Sequence, residues 1–279
     1  MTQIKGLAIN DISCVGRCSL TVALPIISAM GIECSVLPTA VLSTHTGGFD
    51  GYTCLTLDNQ FEPIRKHWEK LNREYDFIYS GFLCSSNQIE LVSEYIKSFS
   101  TKDNIVLVDP AMADNGKLYS LFNMEYVEKM KELCCMADVI VPNITEACLL
   151  TEMEYIPGVQ TKEYITELIY RLSKMGIKNI VLTGVSFKEG TVGVATYNVD
   201  RDEFRSYVRE EIKGYYHGTG DIFASVLVGA LAKGGDLLDS AKKAVDFTVD
   251  SILATKAKEN YDSKYGVCFE EVLHELIEK

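Results

Sequence analysis

An α/β fold around a central, mostly parallel sheet is predicted by two features of this chain. Short apolar runs alternate with helix-length patterns along most of the sequence, which is the signature of βαβ units. Polar or glycine-containing segments then recur where one apolar run after another ends, and ligands in such folds bind outside the carboxyl ends of the strands. The 279 residues, 47% of them hydrophobic, can bury a substantial core.

The strand candidates, in order, are Ile4–Ile9, Cys34–Leu37, Phe77–Tyr79, Ile105–Val108, Val139–Val141 and Ile180–Leu182. Helical patterns lie between most of them, over about Ser19–Met30, Pro63–Arg73, Ser86–Phe99, Asn123–Met136 and Thr161–Met175. Crossovers between such parallel strands are right-handed almost without exception. After Thr183 the rhythm changes. Thr191–Tyr197 and Phe204–Val208 alternate like a hairpin or edge strands. A long helix over Leu237–Lys258 and a short one over Phe269–Ile277 close the chain.

Composition excludes several classes. The net charge is −12 and no basic patch is visible, which argues against a nucleic-acid surface. Nine cysteines, an odd count with no leading basic-plus-apolar signal segment, suggest free thiols in a reducing, cytoplasmic setting. Cys14 and Cys18 are spaced C-x3-C and Cys134-Cys135 are adjacent, but no second pair or histidine cluster completes a zinc pattern. The longest nearly apolar run, Ile222–Ala232, is too short to span a membrane.

The most informative residues are Gly218-Thr219-Gly220-Asp221, just before that apolar run. They read as a tight loop opening a helix, whose first-turn N–H groups and dipole attract anions. Glycines let the backbone approach a ligand closely. A carboxylate there would repel a merely bound phosphate. It makes sense if the amides stabilise a transferring phosphoryl group while Asp221 takes a proton from the attacking hydroxyl. Asp221 could also simply complement the helix N-terminus. There is no G-x-x-x-x-G-K-[ST], and Gly218-Thr219-Gly220 lacks the third glycine of G-x-G-x-x-G, so neither a P-loop enzyme nor a dinucleotide-binding dehydrogenase is indicated.

Polar segments follow the other strands. Asn10-Asp11 follows the first, Thr44-His45-Thr46-Gly47-Gly48 a second extended stretch, and Ser80-Gly81-Phe82-Leu83 the third. Asp109-Pro110-Ala111-Met112-Ala113-Asp114 follows the fourth, Asn143-Ile144-Thr145-Glu146 the fifth and Thr183-Gly184 the sixth. Asn143-x-x-Glu146 also has the form of a helix capping box. Asp109-Pro110 is a common turn. His45 could be a satisfied structural histidine, and His217 has no obvious metal partner. Asp109, Asp114 and Glu146 could jointly hold the waters of a Mg²⁺ ion, which prefers carboxylates, water and phosphate oxygens.

Taken together these segments resemble the ribokinase-like superfamily in its vitamin-kinase branch, most closely the pyridoxal kinases, over nearly the whole chain. The resemblance implies one three-layer α/β/α kinase domain over 1–279. It implies transfer of phosphate from ATP to the 5′-hydroxymethyl group of pyridoxal, pyridoxine or pyridoxamine. Gly218, Thr219, Gly220 and Asp221 resemble the family's anion hole and catalytic base. Asn143-x-x-Glu146 resembles its N-x-x-E signature around metal-bound phosphates, and Asp109–Asp114 its D-P-V-M-G-D segment. Asp109 and Glu146 are thereby expected to place Mg²⁺. Asn143, Glu146, Thr183, Gly184, Asp114 and Tyr119 are expected around the ATP phosphates.

Leu42-Ser43-Thr44-His45-Thr46-Gly47 resembles the pyridoxal kinases' F-S-N-H-T-G, and Ser80-Gly81-Phe82-Leu83 their S-G-Y-L. His45, Thr46, Phe82 and Asp11 are thereby expected to hold the vitamin ring. Several positions depart from the pattern. Asp11 stands where many pyridoxal kinases have a serine, Phe82 where they have tyrosine, Ala113 where they have glycine, and Thr44 where they have asparagine. An acidic Asp11 could accept a hydrogen bond from the ring's 3-hydroxyl or pair with a protonated ring nitrogen. Kinases of hydroxymethylpyrimidine share the fold and the G-T-G-D loop, and remain the alternative. A catalytically silent vitamin- or nucleotide-binding protein is a third reading. A homodimer is a family-based expectation, and a requirement for a monovalent cation (K⁺) stays open.

Overall fold

The computed structural model describes residues 3–277. β1 (Lys5–Ser13) and α1 (Leu20–Ala29) precede β2 (Glu33–Leu42), β3 (Cys54–Thr56) and α2 (Asp58–Lys70). β4 (Phe77–Ser80), α3 (Ser86–Phe99) and β5 (Ile105–Val108) follow, then a small hairpin of β6 (Ala113–Asp114) and β7 (Lys117–Leu118). Next come α4 (Met124–Cys134), β8 (Val139–Ile140), α5 (Ile144–Thr151) and α6 (Lys162–Ser173). β9 (Asn179–Val185), β10 (Thr191–Asn198) and β11 (Glu203–Glu210) lead to α7 (Thr219–Ala232) and α8 (Leu237–Lys256). The last stretch holds three 3₁₀ turns, Ser263–Tyr265, Phe269–Glu271 and Leu273–Leu276.

One sheet of nine strands runs in the order β11-β10-β9-β8-β5-β4-β1-β2-β3. The six strands from β9 to β2 are parallel. β3 pairs antiparallel at one edge, and the β10–β11 hairpin does so at the other. β1 has β2 on one side and β4 on the other, so the strand order reverses at β1. The carboxyl end of such a strand opens onto a crevice where ligands bind.

The period-2 alternation of each strand feeds two cores. Leu7, Ile9, Ile78, Val106, Val108, Ile140, Ile180 and Leu182 face one cluster, shared with residues of α3, α4, α5 and α6. Ala8, Phe77, Tyr79, Leu107, Val139 and Val181 face the other, shared with α1, α7 and α8. The result is the three-layer α/β/α arrangement expected. α3 illustrates how local sequence sets it up. The Ser85 hydroxyl accepts the Gln88 N–H as an N-cap, and Ile89, Val92, Ile96 and Phe99 return to one buried face at helical spacing.

Several expectations need correction. β1 runs on to Ser13, so Asn10 and Asp11 lie within the strand, at a register shift against β2 rather than beyond its end. Likewise Thr183 and Gly184 lie within β9, which runs to Val185. α2 starts at Asp58, well ahead of Pro63, because Gln88 and Asn87 anchor the Asp58 carboxylate from α3 at 2.7 and 2.8 Å. No periodicity marks α5, β3 or the β6–β7 hairpin, although the capping box points to a helix start at Asn143. They span eight, three and two-plus-two residues, too short for a period to show. Phe269–Ile277 forms 3₁₀ turns, not an α-helix.

Candidate active site

Gly218 is the N-cap of α7, with φ 78°. A Cβ there would lie 2.1 Å from the Arg17 carbonyl oxygen, so both conformation and space demand glycine. Gly220 is different. The nearest atom to a Cβ on it would be Asp109 Oδ2, at 3.9 Å, and nothing in the backbone forbids a side chain. Its missing side chain leaves the space between the start of α7 and Asp109 open.

Asp221 is the third residue of α7, but its carboxylate does not cap its own helix. Oδ1 accepts from Asn10 Nδ2 at 3.2 Å, and Oδ2 accepts the Ser19 backbone N–H at 2.9 Å. Burial pushes Asp221 up to about 6; the Asp11 charge raises it too, while the bonds from Ser19 and Asn10 pull it down. A carboxylate poised near neutrality without a cationic partner suits a general base.

The β1–α1 segment that holds Asp221 is itself tightly bonded. Asn10 is fully buried, and its Oδ1 accepts the Asp11 N–H at 3.0 Å. Asp11 is 2% exposed; its oxygens accept the Ser13 hydroxyl at 3.1 Å and the Ser19 hydroxyl at 2.5 Å. Burial raises Asp11 above the usual carboxylate range, and the two serine hydroxyls oppose that rise. Ser19 has φ 59° and ψ −134°, a conformation close to one used almost only by glycine and costing about 1–3 kcal/mol. Asp11 therefore sits beneath the site with two protein partners already in place.

Asn143 and Glu146 do form a capping box at the start of α5. Glu146 does more. Oε2 accepts the Asn143 N–H at 2.8 Å, while Oε1 accepts the N–H groups of Met112 at 2.9 Å and Ala113 at 3.4 Å. The Asn143 amide donates to the Ala113 carbonyl at 2.8 Å. The box thus fastens the Asp109–Asp114 segment to α5. Burial pushes Glu146 up to about 7 against three backbone bonds. Asp109 is held well above its usual range by burial first, then by the charges of Glu146 and Asp221. Asp114 is raised by burial; its carboxylate accepts the Asn115 N–H at 2.8 Å and the Asn115 side-chain amide at 2.9 Å. Thr183 closes the same end of the sheet: its N–H donates to the Pro142 carbonyl at 2.9 Å. Gly184, φ 73°, is exposed beside it. Tyr119 packs near Phe122, with its phenol pushed up by burial.

Asp109, Glu146 and Asp221 lie close enough that the charges of the last two raise the first, a grouping of carboxylates that fits a cation. Among the described residues no three His, Cys, Asp or Glu side chains close into a ready-made cage. That donor set suits Mg²⁺, which keeps waters and takes substrate phosphate oxygens.

In the segment between β2 and β3, His45 is 7% exposed. Its Nδ1 accepts the Gly47 N–H at 3.2 Å, and its Nε2 lies 2.7 Å from the Lys264 carbonyl. Its ring packs edge-on to Phe49 and, tilted, 4.7 Å from His217. Thr46 follows on the same loop, half-buried. Phe82 is half-buried, its ring 5.7 Å from that of Phe122.

Sequence reasoning assigned no role to four contributors. Asn10 and Ser19 grip Asp221 across 211 and 202 positions. His217 stands against His45 and Tyr215, where a Cβ on Gly47 would collide with its ring at 2.4 Å. The 261–266 strap lays Lys264 and Tyr265 over His45 and Phe49, and the Tyr265 carbonyl accepts the Arg17 N–H at 2.9 Å. Asn10 did lie in a flagged segment; the strap carried no local signal.

The chain as a whole is similar to several known proteins. A family model described as Phosphomethylpyrimidine kinase matches residues 24–265. A crystal structure from Bacteroides thetaiotaomicron, of a protein provisionally named a phosphomethylpyrimidine kinase, has a TM-score of 0.95 and 37% identity, covering 100% of this chain and 96% of that one. An orthorhombic form of that protein, crystallised with pyridoxal, has a TM-score of 0.93 and 38% identity over 99% and 96% of the two chains. The pyridoxal kinase of Lactobacillus plantarum has a TM-score of 0.90 and 29% identity over 99% and 97%. The Dictyostelium discoideum pyridoxal kinase is 26% identical over 94% of this chain and 88% of its own. Among the described residues no helix is long and apolar enough to cross a membrane.

Proposed function

Because the chain belongs to the phosphomethylpyrimidine kinase family, we propose that it is an ATP-dependent kinase of the 5′-hydroxymethyl group of pyridoxal, pyridoxine or pyridoxamine. The observation that carries this reading is Asp221. It is a carboxylate pushed up to about 6, gripped by Asn10 and Ser19 in the first turn of α7, beside the glycine that the Arg17 carbonyl demands at 218.

In the proposed mechanism the acceptor hydroxyl lies against Asp221, which takes its proton as the oxygen attacks the terminal phosphorus of ATP. The phosphorus–oxygen bond to ADP breaks, and the proton stays on the carboxylate until product leaves. The first-turn amides of Gly218, Thr219 and Gly220 meet the charge on the transferring group. Asn143, Thr183, Gly184, Asp114 and Tyr119 surround the ATP phosphates. Asp109, with Glu146 behind it, would place Mg²⁺, which when bound neutralises the phosphate charge. His45, Thr46 and Phe82 line the acceptor pocket, with Asp11 at its floor. We read the chain as one cytoplasmic kinase domain that works as a homodimer.

Support for a B6 vitamer over other alcohols comes from the His45–Thr46 loop and from the relative crystallised with pyridoxal. Hydroxymethylpyrimidine is the second reading, favoured by the description of the matching family model. The deciding experiment is Mg²⁺-dependent ATP turnover with pyridoxal, pyridoxine, pyridoxamine and hydroxymethylpyrimidine, using Asp221→Asn as control. Preferential, Asp221-dependent turnover of a B6 vitamer is the expected result. Preference for the pyrimidine would move the enzyme to the second reading with its mechanism intact, and no turnover on any of the four would overturn both.

A further inference from the structure

Ser19 touches both carboxylates of the β1 crevice. Its backbone N–H donates to Asp221 Oδ2 at 2.9 Å, and its hydroxyl donates to Asp11 Oδ1 at 2.5 Å. Its carbonyl meanwhile accepts the N–H groups of Val22 and Ala23, at 3.0 and 2.9 Å, and so starts α1. Meeting the base with the N–H and the helix with the carbonyl coincides with φ 59° and ψ −134°, a conformation that disfavours any side chain. A strained serine persists where its surroundings over-determine it. Here the over-determining contact is Asp11, 2% exposed and pinned on its other oxygen by the Ser13 hydroxyl at 3.1 Å.

We propose that Ser19 is a positioning residue for the base Asp221, and that Asp11 acts through Ser19 by anchoring its hydroxyl. The proposal rests on the kinase reading above and deepens it. It also accounts for the acid at position 11. A carboxylate accepts two hydroxyls at once, from Ser13 and Ser19, and one serine hydroxyl in its place has a single proton and fewer acceptor sites to share. The chain Ser13–Asp11–Ser19–Asp221 is then a line of hydrogen bonds ending on the base, with Asn10 fixing the base's second oxygen at 3.2 Å.

The test compares the full-length enzyme with Ser19→Ala, Asp11→Asn and the double variant, by steady-state kinetics with pyridoxal and ATP and by crystal structures without substrate. Misplacing a reacting group by about 1 Å costs on the order of a hundredfold in rate. The expected result is a kcat lower by about tenfold to a hundredfold in each single variant, with KM for pyridoxal within about twofold of the parent. The double variant should lose no more than the worse single one, because both break the same line. In the crystals the Asp221 carboxylate should leave the N–H of residue 19. Unchanged kcat with Asp221 still in place would overturn the proposal. So would a raised KM for pyridoxal at unchanged kcat in Asp11→Asn, which would make Asp11 a ring ligand instead. If Ser19→Ala does not fold, Asp11→Asn still decides the matter, and Ser19→Gly, which holds φ 59° without the anchor, is expected to lose less kcat than Asp11→Asn. A parent enzyme inert on every acceptor would defeat the kinase reading alone, since the position of Asp221 in the crystals still decides this one.

Discussion

His45 and Lys264, 219 positions apart, meet at 2.7 Å, imidazole Nε2 against a backbone carbonyl. The Gly47 N–H donates to Nδ1, so the proton is assigned to Nε2 and donated to Lys264. Both ring nitrogens are thereby spent on the protein, and burial lowers the pKa of the ring, keeping it neutral. What His45 offers a ligand is an apolar ring face, held by the strap that carries Lys264.

Removing that ring should act on binding more than on chemistry. His45→Ala strands the Gly47 N–H and the Lys264 carbonyl, an expected loss of about 1–3 kcal/mol in stability. Thermal unfolding checks that figure. Steady-state kinetics should show KM for the acceptor raised more than kcat is lowered; a fall in kcat alone would assign the ring to the chemical step.

The base sets a pH profile with a definite sign. Asp221 must be ionised to accept a proton, so kcat/KM should rise about tenfold per pH unit below about 6 and level off above it. Stability runs the other way. The folded-state pKa of about 6 exceeds the ordinary value of 3.8, so between these values the folded protein binds more protons than the unfolded one. Asp221 therefore costs stability progressively as pH rises from about 4 to about 6. Asp221→Asn should abolish turnover, spare ADP binding, and in the absence of Mg²⁺ stabilise the fold by about 1–3 kcal/mol at pH 8. At pH 4 that gain should vanish, as melting curves at the two pH values will show.

Which of these features the sequence displays follows from how locally each is encoded. Ser86–Phe99 reads as a helix because its cap and apolar face lie within one stretch, and the parallel strands read as apolar runs for the same reason. The start of α7 is legible because two glycines and a carboxylate stand together just ahead of an apolar run. Ser19 is not, because a positive φ leaves no mark when the residue is not glycine, and its two partners lie 8 and 202 positions away. The reach of β1 past Asn10 depends on pairing with β2 through a register shift, which no window on β1 alone contains. Asn143-x-x-Glu146 was visible as a capping box, but its grip on Met112 and Ala113 exists only once α5 stands beside that segment.

The two glycines of the proposed anion hole should separate cleanly on substitution. Gly218→Ala faces a positive φ and a Cβ 2.1 Å from the Arg17 carbonyl, so a loss of about 2–4 kcal/mol is expected, with little soluble enzyme. Gly220→Ala meets only Asp109 Oδ2 at 3.9 Å and should fold with near-normal stability. Its methyl group would fill the space between Asp109 and α7, so kcat should fall by at least tenfold at unchanged melting temperature. An active Gly220→Ala would move the phosphoryl group away from that space.

Glu146 decides whether the acidic side of the site works by direct metal contact or by posture. Its two oxygens already accept three backbone N–H groups, from Asn143, Met112 and Ala113. Glu146→Gln retains one accepting oxygen and presents an amide NH₂ where the other stood, so at least one of those N–H groups loses its acceptor. That should cost about 1–3 kcal/mol in stability. Burial pushes the native carboxyl up to about 7, so the penalty of charging it is removed in the variant, and the net loss should be smaller at pH 8 than at pH 6. If Glu146 acts by holding the Asp109–Asp114 segment, kcat should fall while the Mg²⁺ concentration for half-maximal rate moves only a little. If it binds the ion or its waters, that concentration should rise by about tenfold or more. The three backbone bonds, at 2.8, 2.9 and 3.4 Å, favour the first outcome, with Asp109, whose own carboxylate accepts among the described residues only the Ala111 N–H at 3.2 Å, left to face the ion.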